Sequence, residues 1–479
     1  MPSVRNALFH SFTGRSLVAL TEIVSVLVLA RLLTPEEIGV FAVATAFAAL
    51  LHVFREFGVG TWIIQTERLD SARLGGAYGL AMATGVLMAI ILLATASPIS
   101  IWMGDARTGQ LIVVAAATFL TVPFGSVGLA LLNRAMAFDA ILRIHVGAAL
   151  AQATTAIGLA LTGFGPFSLA VGGLVSSLTT IVLARRFAPR DIPFQPGTRH
   201  WREIAEFGGL ATLRTLLITL GTRSPEVIVG KMIDLSAAGL YSRAAGMASL
   251  FNRVVMRAVN AVAHPAFAGQ HRAEGDSHSA YLHSTVLVNA LSWPFFAFVG
   301  FMAEPLVLVL FGDQWKGSVP LVSALCLGAA LRSVAVLHSP FLTAIGHIGA
   351  TVRLQVFIQL ARIALIVFGA GISLLAAAWA QAAAFAVTVA AVWFYLIRYQ
   401  GFRLTGLASS VYLNIGPALA GVAGPLLATS VAASTHALVQ LPLAAAVSLI
   451  AWLTVLRSTR HPLWPEIERA LAKLRRSRE

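Results

Sequence analysis

The chain has 479 residues, 58% hydrophobic and 11% charged, with a formal net charge of +14 and a mean hydropathy of +0.82. A soluble domain carries roughly 25% charged residues, so this chain cannot cover a water-facing surface and reads as an integral membrane protein. The single cysteine, Cys326, excludes an intrachain disulfide and a cysteine metal cluster.

A transmembrane helix needs about 20 mostly apolar residues. Fourteen such intervals are predicted, near 12–33, 38–56, 75–99, 109–133, 141–162, 164–185, 207–233, 237–262, 282–304, 318–345, 353–371, 373–397, 410–432 and 436–456. The eleventh and twelfth are separated only by "GAGIS" and the last two only by "AAST". No cleavable signal peptide is expected, because no short apolar core after Arg5 and Arg15 ends in a small-residue cleavage site.

Between the first two intervals stands "TPEE", Thr34 to Glu37. Thr34 suits a helix N-cap and Pro35 the first helical position, and Glu37 completes a capping box. Both carboxylates sit at the positive end of the helix dipole. The competing reading, the outward acidic loop of a membrane glycosyltransferase, needs room for a metal or an acceptor sugar that so short a turn does not give.

Lys and Arg accumulate on the cytoplasmic side of membrane proteins. With the N-terminus inside, inner loops and tails hold 23 of the 34 Lys and Arg, and outer loops hold only Arg31, Arg107, Lys231 and Lys316. Both termini are then cytoplasmic. The basic balance is topology, and no nucleic-acid partner is expected. Outer loops are short, and the longest inner loop, Arg186 to Glu206, falls after six spans. The last stretch, "HPLWPEIERALAKLRRSRE", spaces Leu463, Ile467, Leu471 and Leu474 at helical intervals opposite basic residues. It reads as an amphipathic helix on membrane lipids, with a disordered basic tail as the alternative.

An internal repeat emerges at a shift of 200 residues. "ARLLTPEEIGVFAVATAFAALL" aligns with "GKMIDLSAAGLYSRAAGMASLF" without a gap, matching Gly39 to Gly239, Ala44 to Ala244 and Ala48 to Ala248. Six spans separate the copies, so they share an orientation. The predicted fold is all-α and integral to the membrane. Two six-helix bundles (1–190 and 191–398) are related by a pseudo-two-fold along the membrane normal, followed by two additional helices (399–458) and a basic tail (459–479).

With those residues in view, "LARLLTPEEIGVFAVATAFAALLHVFREFGVGTWIIQ" resembles the N-terminal signature of bacterial polysaccharide exporters. These are the Wzx-type flippases of the multidrug/oligosaccharidyl-lipid/polysaccharide exporter superfamily. "HWREIAEFG", before the seventh span, resembles that family's entry into its second bundle. The resemblance implies an alternating-access flippase, not an enzyme, in the bacterial inner membrane. Its cargo would be an undecaprenyl-pyrophosphate-linked oligosaccharide for surface polysaccharide, such as lipopolysaccharide or exopolysaccharide. It also implies a polymerase and a chain-length regulator as pathway partners. The family has no short catalytic motif, so no site residue carries over by identity.

Candidate site residues come from charge inside the spans. A mid-bilayer charge costs roughly 2.5–3.5 kcal/mol on insertion scales and usually faces a bundle interior or a water-filled cavity. Seven arginines qualify: Arg214, Arg223, Arg243, Arg253, Arg257, Arg332 and Arg362, all in the second bundle. On an ideal helix Arg243, Arg253 and Arg257 share an arc of about 80°. Gln355, Gln359 and Arg362 share one face of the eleventh span. Guanidinium forks pair bidentately with phosphate oxygens, which makes Arg332, Arg362, Arg243, Arg253 and Arg223 candidates for a pyrophosphate, with Gln355 and Gln359 beside it. The competing reading for each arginine is a snorkelling position near a helix end. Glu22 and Glu226 are candidates for ion coupling, or for ion pairs with arginine. Pro225 should kink the seventh span. His338 reads as a hydrogen-bonded interior residue, and Trp102 and Trp315 as interfacial anchors.

The twelve histidines show no metal-ligand spacing, and no nucleotide-binding loop or serine nucleophile motif is present, so neither cofactor nor metal is expected. Three alternatives stay open to test. A lipid II flippase shares the expected charge pattern. A drug/cation antiporter would want acidic cavity groups. A polysaccharide polymerase would want a large outer loop.

Overall fold

The computed structural model describes residues 4–56, 58–188, 195–273, 275–431 and 437–476. Among the described residues the secondary structure is helical throughout, with no strand. The chain divides into two compact units, Met1–Gly239 and Leu240–Glu479, and the boundary falls inside one helix. The expected boundary at 190/191 and the "AAST" turn lie outside the described residues.

The first unit holds α1 (Val4–Leu32), α2 (Pro35–Glu56), α3 (Val59–Gln65), α4 (Ser71–Met103), α5 (Ala106–Thr121), α6 (Pro123–Arg134), α7 (Phe138–Leu161), α8 (Phe167–Phe187), α9 (Trp201–Met232) and the start of α10 (Leu235–Ala248). Polar caps start several of them, with Asp70 accepting from the Arg73 amide and Asp105 from the Arg107 and Thr108 amides. The capping box forms at α2: the Thr34 amide donates to Glu37 Oε2 at 2.8 Å, and the Glu37 amide donates to Thr34 Oγ1 at 3.3 Å. Two hundred residues on, Asp234 Oδ1 accepts from the Ala237 amide at 2.6 Å, capping α10 at the equivalent place. The repeat therefore reproduces its cap in three dimensions. Its paired glycines also meet: a β-carbon on Gly39 would overlap the Leu235 carbonyl, and one on Gly239 would overlap the Pro35 carbonyl. In lipid, where tails are as apolar as leucine, small residues that let backbones approach are a main source of helix association. The pairs α7–α8, α4–α5, α1–α7 and α2–α9 build the rest of this unit.

In the second unit a π turn over Asn252–Met256 interrupts the run from α10 into α11 (Arg257–Arg272). There follow α12 (Ser277–Phe301), α13 (Ala303–Leu310), a 3-10 turn over Asp313–Ser318, α14 (Val319–Ser333), α15 (His338–Ala344), α16 (Ile348–Ala370) and α17 (Leu374–Gln400). The unit closes with α18 (Leu404–Tyr412), α19 (Ile415–Val431), α20 (Ala437–Ser458) and α21 (Leu463–Arg476). α17 packs on both α14 and α16, and α12 packs on α14 and α19. Ser448 ties α20 to α19, accepting from the Gly424 amide at 3.1 Å. α21 is the expected amphipathic helix. Its Leu463, Trp464 and Ile467 pack with Ala290, Trp452 and Leu456.

Helices occupy each of the fourteen predicted intervals. By length and apolarity ten helical runs among the described residues suffice to cross a membrane, eleven if α5 and α6, bent by 50°, count as one span. α1, α9 and the α10–α11 run are not among them. The last two carry five of the seven intramembrane arginines, which lower the very hydropathy that marks a span. α9 stays helical through Pro225. Large apolar side chains such as Leu360, Phe368 and Phe394 stand at least 64% exposed, as a lipid-facing surface requires.

Candidate functional site

The site forms where α14, α16 and α17 meet in the second unit. Gly328 lets α14 approach α17: a β-carbon there would stand 2.9 Å from Cα of Ala382. One turn further on, Arg332 lies against the ring of Phe385, its guanidinium carbon 5.5 Å from the centroid. Arg362, from α16, lies against the same ring at 5.4 Å. Its Nε also donates to Gln381 Oε1 at 2.9 Å. Gln381 and Phe385 are four apart on α17 and share a face. Two of the expected arginines, remote in sequence, therefore converge on one aromatic residue.

Polar atoms with unused capacity surround this pair. Gln359 is 7% exposed and Gln381 2% exposed, and among the described residues neither Gln359 Oε1 nor Gln381 Nε2 has a hydrogen-bond partner. Beside Arg332, Ser333 hydrogen-bonds Asn289 Oδ1 at 2.9 Å, and Trp293 Nε1 donates to Ser333 Oγ at 3.1 Å. Asn289 is fully buried, and among the described residues its Nδ2 has no partner. Leaving a buried polar group unsatisfied costs about 1–3 kcal/mol, so a ligand that brings hydrogen-bonding atoms here recovers that cost. A small cleft opens at the same place, walled by Phe251, Asn252, Met256, Phe296, Arg332 and Ser333. The π turn supplies Asn252 and Met256 to it, and such turns recur at functional sites.

Arginine stays protonated at any physiological pH. Among the described residues Arg332 has no carboxylate within ion-pairing distance. Two guanidiniums drawn to one ring repel each other, and a multivalent oxyanion bridging them converts that repulsion into charge-assisted hydrogen bonds.

The other expected residues go elsewhere. Arg243 stacks on Phe311 and Trp315, at 5.6 and 5.2 Å from their centroids. Arg253 turns back, its Nη2 donating to the Gly246 carbonyl at 2.8 Å. The shared arc expected for them assumed an unbroken α-helix, whereas Arg253 lies within the π turn at 252–256 and Arg257 follows it. The side chains of Arg257 and Arg15 lie outside the described residues. Gln355 is half-buried on α16. In the first unit Arg223 is exposed while Glu226, three residues later, is 7% exposed. Glu22 is exposed on α1. Trp315 is no interfacial anchor: it is fully buried beneath Arg243, because the 3-10 turn folds it inward. His338 hydrogen-bonds the Ala335 carbonyl through Nδ1 at 2.6 Å. Gln381, Phe385, Asn289, Trp293 and Ser333 were not singled out by sequence. Gln381 and Asn289 are polar residues inside apolar runs, a signal that was there to read; Phe385 carried none.

Glu36 and Glu37 do structural work. Glu37 closes the capping box, and Glu36 pairs with Arg107, which also holds Asp105 at 2.7 Å. Partial burial alone would raise the Asp105 pKa, but the hydrogen bonds and charge of Arg107 prevail and hold it below the ordinary value. Among the described residues no group of three His, Cys, Asp or Glu is placed to hold a metal ion.

The fold is that of a multi-pass helical membrane protein in whose second unit two arginines converge on one aromatic ring. Residues 28–320 match the family described as polysaccharide biosynthesis protein, and the chain belongs to that family. The succinoglycan biosynthesis transport protein ExoT of Rhizobium meliloti (strain 1021) is 30% identical over 333 residues, 68% of this chain and 66% of that protein. The lipopolysaccharide biosynthesis protein WzxC of Escherichia coli (strain K12) is 25% identical over 358 residues, 72% of this chain and 71% of that one. The chain thus spans about two thirds of the length of these relatives. Among solved structures the lipid II flippase MurJ, in an inward closed conformation, superposes with a TM-score of 0.72 at 14% identity, over 95% of this chain and 99% of that one. An inward-facing multidrug resistance MATE transporter of the MOP superfamily gives 0.60 at 14% identity, over 82% and 96%. At such identities the likeness is one of fold.

Proposed function

We propose that the chain is a flippase that moves an undecaprenyl-pyrophosphate-linked oligosaccharide from the inner to the outer leaflet of the bacterial cytoplasmic membrane. It works by alternating access with both termini on the cytoplasmic side, as the arginine distribution favours. The observation that carries the reading is the convergence of Arg332 and Arg362 on Phe385 beside Gln381. A pyrophosphate presents several acceptor oxygens and two to three negative charges, which two guanidinium forks match in number and geometry. ExoT is a succinoglycan transport protein and WzxC a lipopolysaccharide biosynthesis protein, which supports a glycan cargo over a drug. Gln355 and Gln359, on the same helix as Arg362, serve as polar contacts beside it, and Arg243 and Arg253, away from the cluster, serve as further cations met by the cargo elsewhere on its path. Arg223 is the weakest candidate. Glu226, buried within its helix, is the better of the two candidates for ion coupling, and Glu22 the weaker. The glycan is supplied by a lipid-linked assembly reaction and consumed by a polymerase with its chain-length regulator.

The test is transfer of a radiolabelled undecaprenyl-pyrophosphate oligosaccharide across proteoliposomes, comparing wild type with Arg332→Ala, Arg362→Ala and Arg362→Lys. A hydrogen bond to a charged group contributes about 1.5–3 kcal/mol, so each alanine variant should lose roughly ten- to a hundredfold in apparent affinity. Arg362→Lys should stay impaired, because a point charge does not replace the fork. Transfer that survives both alanine variants moves the pyrophosphate to Arg243 and Arg253. No transfer by folded wild type, with a proton or Na⁺ gradient imposed, refutes the reading, and lipid II in the same vesicles then tests the nearest alternative.

A further inference from the structure

A second cleft in the second unit, of about 340 Å³, is not used by the arginine cluster. Three segments that the basic-residue count places on the inner side build it: the α11–α12 connection, the α15–α16 turn and the end of α17. Its walls include His271, Asp276, Ser277, His278, His347 and Gln400. We infer that this cleft is a saccharide subsite, holding one or two neutral sugar rings through their hydroxyls. The inference rests on the lipid-linked glycan reading and adds to it a place where the sugar part is held, separate from the pyrophosphate.

The wall chemistry selects the ligand class. Among the described residues lining the cleft there is no Lys or Arg, so it lacks the guanidinium forks and ammonium groups that usually hold a phosphate. The histidines are not grouped for a metal. Polar side chains, imidazole, amide, hydroxyl and carboxylate, line the cleft beside the apolar Phe341 and Ile345, a mixed wall that suits a ligand with both polar and apolar faces. A sugar hydroxyl both donates and accepts, and this mixture of side chains offers both functions.

The groups are also set in place. Gln400 Nε2 lies 3.1 Å from His347 Nδ1, and the Tyr395 hydroxyl lies 3.3 Å from the same atom. Gln400 and Tyr395 thus hold the His347 ring in place from α17. Asp276 Oδ1 is held by the His278 and Ser279 amides at 3.1 and 3.0 Å, while a carboxylate keeps further acceptor capacity. The His278 ring stacks on Phe402 with centroids 4.1 Å apart. Phe402 in turn packs on Tyr281 and Phe341, at 5.4 and 5.7 Å. This buried aromatic floor fixes the imidazole as a flat surface for a sugar ring. The volume is at the lower end of the range for small-molecule sites, roughly 300–1,000 Å³, which suits one or two rings and excludes a long chain held end to end.

The experiment is saturation-transfer NMR on the full-length protein in detergent, with cellobiose and lactose as probes and inorganic phosphate and Zn²⁺ as competitors. Wild type should pass saturation to the ring protons of at least one disaccharide. Gln400→Leu and His278→Ala should each weaken binding about fivefold, the loss of one or two neutral hydrogen bonds. Two variants on different segments keep the test alive if one fails to fold, and melting curves identify that case. Three results overturn the inference: no signal from either disaccharide in wild type, unchanged signal in folded variants, or displacement by phosphate or Zn²⁺. Lipid-linked oligosaccharide transfer measured on the same preparations separates the two readings. Sugar binding without transfer refutes the flippase and leaves the cleft; transfer without sugar binding refutes the cleft alone.

Discussion

Replacing Phe385 with leucine tests whether one ring organises the cationic cluster. The ring holds two guanidiniums, at 5.5 Å for Arg332 and 5.4 Å for Arg362. Both lie inside the ~6 Å limit for a cation–π contact, and each such contact contributes about 0.5–1 kcal/mol where exposed and about 2 where desolvated. Phe385 is half-buried, so losing both contacts should cost about 1–4 kcal/mol. Leucine keeps an apolar side chain of similar bulk, and comparable core exchanges usually cost below about 1.5 kcal/mol. The packing and electrostatic parts overlap in size, so a single variant does not separate them. A double-mutant cycle of Phe385→Leu with Arg332→Gln does, read by thermal unfolding in detergent and by apparent cargo affinity. The two positions touch, and contacting residues couple by about 0.5–3 kcal/mol; we expect about 1 kcal/mol. Arg362 should couple less strongly, because Gln381 holds its Nε independently of the ring. Additivity within about 0.3 kcal/mol at both positions would refute the reasoning, leaving Phe385 as a packing residue and the two arginines as unconnected neighbours.

Two further outcomes are expected. Gly39→Leu should destabilise by about 1–3 kcal/mol, since its β-carbon meets a backbone carbonyl of α10 that cannot swing aside; Gly60→Ala, with nothing within 4 Å, is the control, and equal melting temperatures would disprove the glycine crossing. Asp105 has a depressed folded pKa, so its contribution to stability is fully present above the ordinary value of 3.8 and is lost as pH falls through the lower folded value. The gap in stability between wild type and Asp105→Asn should therefore shrink on acidification below that value, and a gap that stays constant from neutral pH to about pH 2 would contradict the Arg107 pairing.

The sequence alone determined where the helices lie, because a membrane demands long apolar runs whose backbones are satisfied internally. It also determined the cap at Thr34, whose chemistry is complete within four residues, and the repeat, whose second copy caps itself with Asp234. That Gly39 and Gly239 correspond was legible in the alignment; that each backs onto the other's helix was not. Helices apolar on nearly every side carry no stripe to say which face is inward, so seven intramembrane arginines looked alike. The tertiary structure sorted them. It joined Arg332 to Arg362 through Phe385, a residue as ordinary in sequence as any other phenylalanine in these runs. It gave Arg243 and Arg253 different partners, set Arg253 within a π turn that no local pattern announced, and buried Trp315 under a cation. A cluster assembled from three helices depends on how those helices pack, and packing is set by side-chain fit across segments, which periodicity within one segment does not encode.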